Sequence, residues 1–77
     1  MDMKSLEECT AGMRVAIVSV KDSSSLFLKY LDKIEASIGT AIEVLDRVAF
    51  DGSLEIILDS KSKVFVSREV AKNIMVI

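Results

Sequence analysis

The 77 residues of this chain suffice for one small domain, read here as residues 1–77. Ten Lys and Arg stand against twelve Asp and Glu, for a net charge of −2. That balance excludes an autonomous nucleic-acid binder, which needs a dense basic face to displace counterions from phosphates. There is no His and no Trp, and a single Cys, so no disulfide scaffold, Cys-x-x-Cys zinc site or His-based catalysis has support.

Mean hydropathy is +0.41, and a domain this small hides only about 60% of the surface of its unfolded chain. Some apolar surface therefore stays outside, either as ordinary surface or as a docking face. The longest charge-free apolar stretch, Val15 to Val20, is far short of the ~20 residues of a membrane span. The start, Met1-Asp2-Met3-Lys4, lacks a signal-peptide pattern, and a cytoplasmic location is expected.

In chain order, Gly12 offers an entry turn to a first strand over residues 13–20. Val15 and Ile17 share one face by period two, and a bulge near Val18-Ser19 returns Val20 to it. Asp22-Ser23-Ser24-Ser25 supplies capping oxygens for a helix over 26–34. Phe27, Tyr30, Leu31 and Ile34 fall on one side of that helix. It has no Gly at its end, so Glu35 or Ala36 must stop it.

Ala41 to Val48 reads as the second strand, with Ile42 and Val44 inward. Asp51-Gly52 is a strong turn signal before the third strand, Leu54 to Leu58. Residues 59–62 form a polar hairpin loop and Lys63 to Val66 the fourth strand. Ser67 caps a single helical turn closed by Asn73, and Ile74 to Ile77 is the last strand. Five short strands with one inserted helix and a one-turn helix before the last strand predict a mainly β, SH3-like barrel. Its expected core is Val15, Ile17, Val20, Leu31, Ile42, Val44, Ile56, Leu58, Val64, Val66 and Val70.

The run Phe27-Leu28-Lys29-Tyr30-Leu31-Asp32, then Ile38-Gly39-Thr40 and Ile42-Glu43-Val44-Leu45, with Leu6, Gly12, Val15, Ile17 and Val20 before them, resembles the FeoA domain. Phe50 to Ile56 and Ser67 to Ile74 look like the FeoA domain that ends metal-dependent repressors of the DtxR/MntR family. The resemblance covers nearly the whole chain and rests on turn glycines and core positions. It implies an SH3-like domain docking on the repressor's other domains, in a homodimer or within one chain. Fe²⁺ or Mn²⁺ is implied for the full-length repressor, and DNA would be met only through an N-terminal winged helix-turn-helix that this chain lacks. The alternative it implies is a stand-alone FeoA-type protein acting on a ferrous iron transporter in the membrane.

Some members of the family complete an ancillary metal site with an acidic residue and a Gln beside the helix. The matching stretch here is Ser23, Ser24, Ser25 and Leu26, three hydroxyls and an alkyl group, so no metal role carries over. The resemblance also places Gly where Glu35 stands, and a larger apolar residue near Ala36. Strain or rearrangement is therefore expected in the turn after the helix.

Other chemistry is thin. Cys9 has no second thiol or imidazole near it in sequence and reads as a small apolar residue or a surface thiol. Asp51 with Asp46 or Asp59 reads as solvated turn carboxylates rather than an acid–base pair. Without a base, Ser23 to Ser25 cap a helix rather than attack a substrate, and an enzyme is not expected. Trp is absent, and a proline-rich ligand groove is not expected either. What remains is docking. Leu45, Ile57 and Phe65 each lie beside or between inward-facing residues, and form an outward apolar patch unless the helix covers it.

Overall fold

The computed structural model describes residues 2–77. Nine elements follow in chain order: β1 (Lys4–Ser5), a 3-10 helix (Leu6–Glu8), β2 (Arg14–Val20), α1 (Ser25–Lys33), β3 (Ala41–Arg47), β4 (Leu54–Leu58), β5 (Ser62–Val66), α2 (Arg68–Asn73) and β6 (Ile74–Val76). The strands form one antiparallel sheet in the order β1-β6-β2-β3-β4-β5. All five expected strands are present. The barrel has a sixth, the two-residue β1, because Lys4 and Ser5 pair with Val76 and Met75.

The bulge expected at Val18-Ser19 is there, as a register shift between Ile17 and Ser19 where β2 crosses from β3 to β6. It returns Val20 to the core, where it packs half-buried. A second bulge lies on β3 between Val44 and Asp46. The helix α1 begins at Ser24, whose Oγ accepts from the Phe27 N–H at 3.3 Å. Its apolar side is the expected one: Leu31 is buried, and Phe27, Tyr30 and Ile34 pack on the core. Glu35 ends the helix in the left-handed region, at φ 61°, where a residue with a Cβ is strained by roughly 1–2 kcal/mol.

Ser67 Oγ accepts from the Val70 N–H at 3.0 Å and caps α2. This helix has six residues instead of a single turn. The side chain of Asn73 donates back to the Glu69 carbonyl at 3.0 Å and extends it.

The core contains Ile17, Leu31, Ile42, Val44, Ile56, Leu58 and Val66 as expected. Val15, Val20, Val64 and Val70 are half-buried at its margin. Leu6, Cys9, Ala36, Leu54, Ala71, Ile74 and Val76 complete it. Leu6 and Cys9 are buried because the 3-10 helix packs on α2 and β6.

Arg47 locks that N-terminal segment in place. Its guanidinium donates to the Gly52 carbonyl at 3.0 Å, to the Cys9 carbonyl at 3.3 Å and to the Glu7 carbonyl. The Glu7 carboxylate lies 3.8 Å from Arg47 Nη1 and 3.7 Å from Arg68 Nε.

Arg47→Ala is expected to cost about 2–3 kcal/mol, because it strands carbonyls that a charged donor satisfied. Arg68→Ala, losing one largely exposed ion pair, should cost less than about 1 kcal/mol. Denaturant melts of the two variants check the ranking. Ile42→Ala or Ile56→Ala should each cost about 2–5 kcal/mol, enough to unfold a domain whose margin is roughly 3–5 kcal/mol. A melting temperature unchanged from wild type would show that these side chains do not face the core.

Candidate functional site

The residues with chemistry to offer are scattered and locally engaged. Asp51 Oδ1 accepts from the Ser53 N–H at 2.9 Å, and these bonds to Ser53 hold its carboxyl below the usual range. Asp59 accepts from the Ala41 N–H at 2.9 Å, and Asp46 from the Arg47 N–H at 2.8 Å. Each carboxylate thus serves a turn or a strand end, and none faces another across a cleft. Among the described residues, no three His, Cys, Asp or Glu gather as a metal site.

Ser23, Ser24, Ser25 and Leu26 all lie exposed at the start of α1, with Leu26 80% accessible. The Ser24 amide donates to Asp22 at 2.8 Å and its hydroxyl caps the helix. Hydroxyl and alkyl groups in this arrangement do not fit a divalent cation.

Cys9 is fully buried, and its Sγ lies 3.9 Å from the Ser5 carbonyl. Burial pushes the thiol up, Lys4 opposes the shift, Glu8 reinforces it and Arg47 opposes it. Burial raises the Tyr30 hydroxyl as well.

The residues expected to dock lie on three strands, Leu45 on β3, Ile57 on β4 and Phe65 on β5. Strand register sets Arg14, Glu43, Ile57 and Lys63 side by side across β2, β3, β4 and β5. The next outward rung holds Asp46, Glu55 and Phe65. Ion pairs run through this face: Arg14 to Glu43 at 3.8 Å, and Lys63 to Glu55 at 3.6 Å. Ile57 is half-buried between Glu43 and Lys63, while Phe65 is 60% exposed beside Glu55. Leu45, half-buried, is the extra residue of the β3 bulge and has no partner across the ladder. Ile57 and Phe65 stand on one diagonal of β4–β5, and Glu55 and Lys63 on the other. None of Leu45, Ile57 and Phe65 belongs to the set that packs with α1 on the core.

Three surface features escaped the strand pattern. Beside Ile57 is a hollow of about 380 Å³, where Ala16 and Ala41 oppose each other between Ile57 and Ile77. The outward positions of two alanines on neighbouring strands were its only signal. A groove of about 340 Å³ runs between α1 and β2, lined by Ile17, Val20, Leu28, Leu31, Ala36 and Ile38. The small side chain of Ala36 leaves room for it. Finally, Phe50 stands 97% exposed on the β3–β4 turn. The turn is held by the Gly52 N–H on the Val48 carbonyl and the Val48 N–H on the Ser53 carbonyl, both 2.8 Å. Gly52 sits at φ +77°, with Arg68 so close that an added Cβ would come within 3.1 Å of its Cδ.

Fold and surface define an SH3-like β-barrel domain whose outer face is a lattice of charges with apolar inlays. Residues 4–77 match the family model of the FeoA domain, and the chain belongs to the FeoA domain family. A solved manganese-dependent transcriptional repressor is 25% identical with a TM-score of 0.91, over 100% of this chain and 41% of that one. An iron uptake regulatory protein (FeoA) superposes at a TM-score of 0.85 and 17% identity, over 100% of this chain and 97% of that one. A FeoA-like protein from Clostridium acetobutylicum gives 0.86 and 17%, over 100% and 87%. The likeness to these last two is one of fold. The chain spans about two fifths of the length of the repressor. No curated protein matches the sequence significantly. No helix among the described residues is long and apolar enough to cross a membrane.

The buried thiol should resist a disulfide reagent in the native protein and react within seconds in denaturant. Its raised value, with that of Tyr30, also sets the sign of the alkaline response. Their stabilising effect is complete below the unfolded thiol value of roughly 8.5. It declines as pH rises through the higher folded values, because the unfolded chain then gives up its protons first. Chemical melts between neutral and strongly alkaline pH should show stability falling in that window.

Proposed function

We propose that this chain is the C-terminal SH3-like docking domain of a manganese- or iron-dependent transcriptional repressor, working in the cytoplasm by contact with the repressor's other domains. One observation carries the reading. The whole chain superposes, at a TM-score of 0.91 and 25% identity, on two fifths of a manganese-dependent repressor. A manganese-dependent transcriptional repressor solved in complex with manganese gives the same score and identity.

In this reading the metal is held elsewhere in the repressor, and DNA is met by a separate N-terminal domain. The acidic balance of this domain does not suit it to DNA. Its contribution is a rigid barrel with a patterned outer face, on which Leu45, Ile57 and Phe65 supply apolar contact and the surrounding ion pairs supply orientation. The fold carries no catalytic role in this reading.

A second reading has one observation in its favour: the chain accounts for 97% of a solved FeoA protein. It would then be an accessory protein docking on the cytosolic part of a ferrous iron transporter. Reading the genomic coding sequence upstream of Met1 separates the two. A winged helix-turn-helix in the same frame supports the repressor domain. An upstream stop codon followed by a downstream iron-transporter gene overturns it.

Under either reading the isolated chain should bind neither Mn²⁺ nor Fe²⁺ at micromolar concentration, since Ser23 to Leu26 offer no carboxylate or amide. Isothermal titration should give only heats of dilution. A stoichiometric site would show that this domain takes part in metal sensing directly.

A further inference from the structure

The sheet is open on the β5 side. β5 pairs with β4 alone and ends the strand order. No other backbone hydrogen bond reaches Ser62 to Val66 among the described residues. The helix that follows, α2, packs on the 3-10 helix, β1 and β6. A free five-residue edge is a template for another strand, and proteins usually block one with a charge, a proline or a covering segment. Here the edge carries one charge, Lys63, together with the 60% exposed Phe65.

We infer that this edge is a self-pairing surface, and that its occupant is β5 of a second copy of this chain. The assignment rests on the symmetry of Ser62-Lys63-Val64-Phe65-Val66. A two-fold axis at Val64 sets Val64 against Val64, Ser62 against Val66, and Lys63 against Phe65, twice. Lys63 of each copy then lies over the Phe65 ring of the other, a cation–π pair on the outer face. The outer row continues on both sides, reading Glu55, Phe65, the second copy's Lys63 and the second copy's Ile57. The Lys63–Glu55 ion pair, at 3.6 Å, holds Lys63 toward β4; Lys63 is 60% exposed there, the pair is a weak one, and Lys63 exchanges it for the ring on pairing.

Competing registers are poorer. A slip of one residue sets outward side chains against inward ones. A slip of two in one direction brings Lys63 onto Lys63, a like-charge pair. A slip of two in the other direction sets Phe65 on Phe65, leaves Lys63 without a ring to cover and, like the first, pairs three residues of β5 a side instead of five. On the inner side, Val64 is half-buried at the barrel margin, and its symmetry mate covers the exposed remainder.

A ladder of five residues a side is small, in the class of weak, transient contacts. The dimer should therefore show itself only at high protein concentration, or where a longer chain holds two copies together.

Sedimentation of the 77-residue chain should show a monomer–dimer equilibrium as concentration rises to roughly 1 mM. Phe65→Ser should keep the wild-type melt, since that side chain is mostly exposed, and should weaken association by roughly tenfold. Register is read by cross-linking. Residues directly opposed across antiparallel strands have Cα atoms about 4.5–5.5 Å apart, within disulfide reach. Val64→Cys chains should therefore link to themselves on mild oxidation. Lys63→Cys and Phe65→Cys chains should link poorly alone and readily when mixed. The buried Cys9 does not compete, and the wild-type chain is the control. A wild-type chain that stays monomeric throughout, a Phe65→Ser variant that associates as before, or Lys63→Cys chains that link to themselves as fast as Val64→Cys would each overturn the assignment.

Discussion

Much of the domain hangs on one guanidinium. Arg47 is the last residue of β3, and its fork reaches three carbonyls from two distant parts of the chain. On one side stand Glu7 and Cys9, after a strand of only two residues; on the other stands Gly52, in the turn that presents Phe50. Leu6 and Cys9 fill the core only while this N-terminal segment is held down. A lysine has one point of charge and would satisfy fewer of these acceptors than the planar, five-donor arginine. The neighbouring Glu7 carboxylate lies within 4 Å of both Arg47 and Arg68, so η-nitrogen, carboxylate and α2 form a single polar seam beside the core.

What was legible in the sequence follows from periodicity. The strands announce themselves by alternation, so Ile42, Val44, Ile56 and Leu58 could be assigned inward. The side of α1 is equally plain from Phe27, Tyr30, Leu31 and Ile34. Even the β2 bulge was visible, because Val20 fell out of phase with Ile17. Leu6 and Cys9 were missed because three residues of 3-10 helix carry no period. Ala71, Ile74 and Val76 were missed because α2 and β6 are too short to show one. Arg47 was invisible for another reason: its partners are backbone carbonyls, which no side-chain pattern reports. The bulge at Leu45 hides similarly, since Val44, Leu45 and Asp46 read as ordinary alternation until the register of β4 is known. Glu35 is the reverse case. A position where the family resemblance places glycine here holds a glutamate, and the backbone keeps the left-handed turn regardless.

The candidate site is a surface rather than a cleft, and this matches the composition. The chain has no His, its one thiol is buried, and among the described residues its carboxylates do not gather in threes. It does have a stiff sheet on which side chains are set at fixed spacings. Charge pairs alternate with Ile57 and Phe65 across β3, β4 and β5, and in the proposed docking role that arrangement would orient a partner more than bind it tightly. Of the residues expected to dock, Ile57 has the most apolar company, because Ala16 and Ala41 hollow the face beside it.

The two ends of the chain are neighbours in the sheet, with Lys4 opposite Val76 and Ser5 opposite Met75. Tension applied through both ends therefore acts across these strands, not along them. The rungs of β1 open one after another, like a zipper, instead of sharing the load as sheared strands do. Little force is needed to free two residues. The peeling front then meets the 3-10 helix, where Arg47 grips the carbonyls of Glu7 and Cys9. The domain is thus compliant where its two ends pair and stiff immediately behind them: the ends can yield by a few residues while the barrel stays whole.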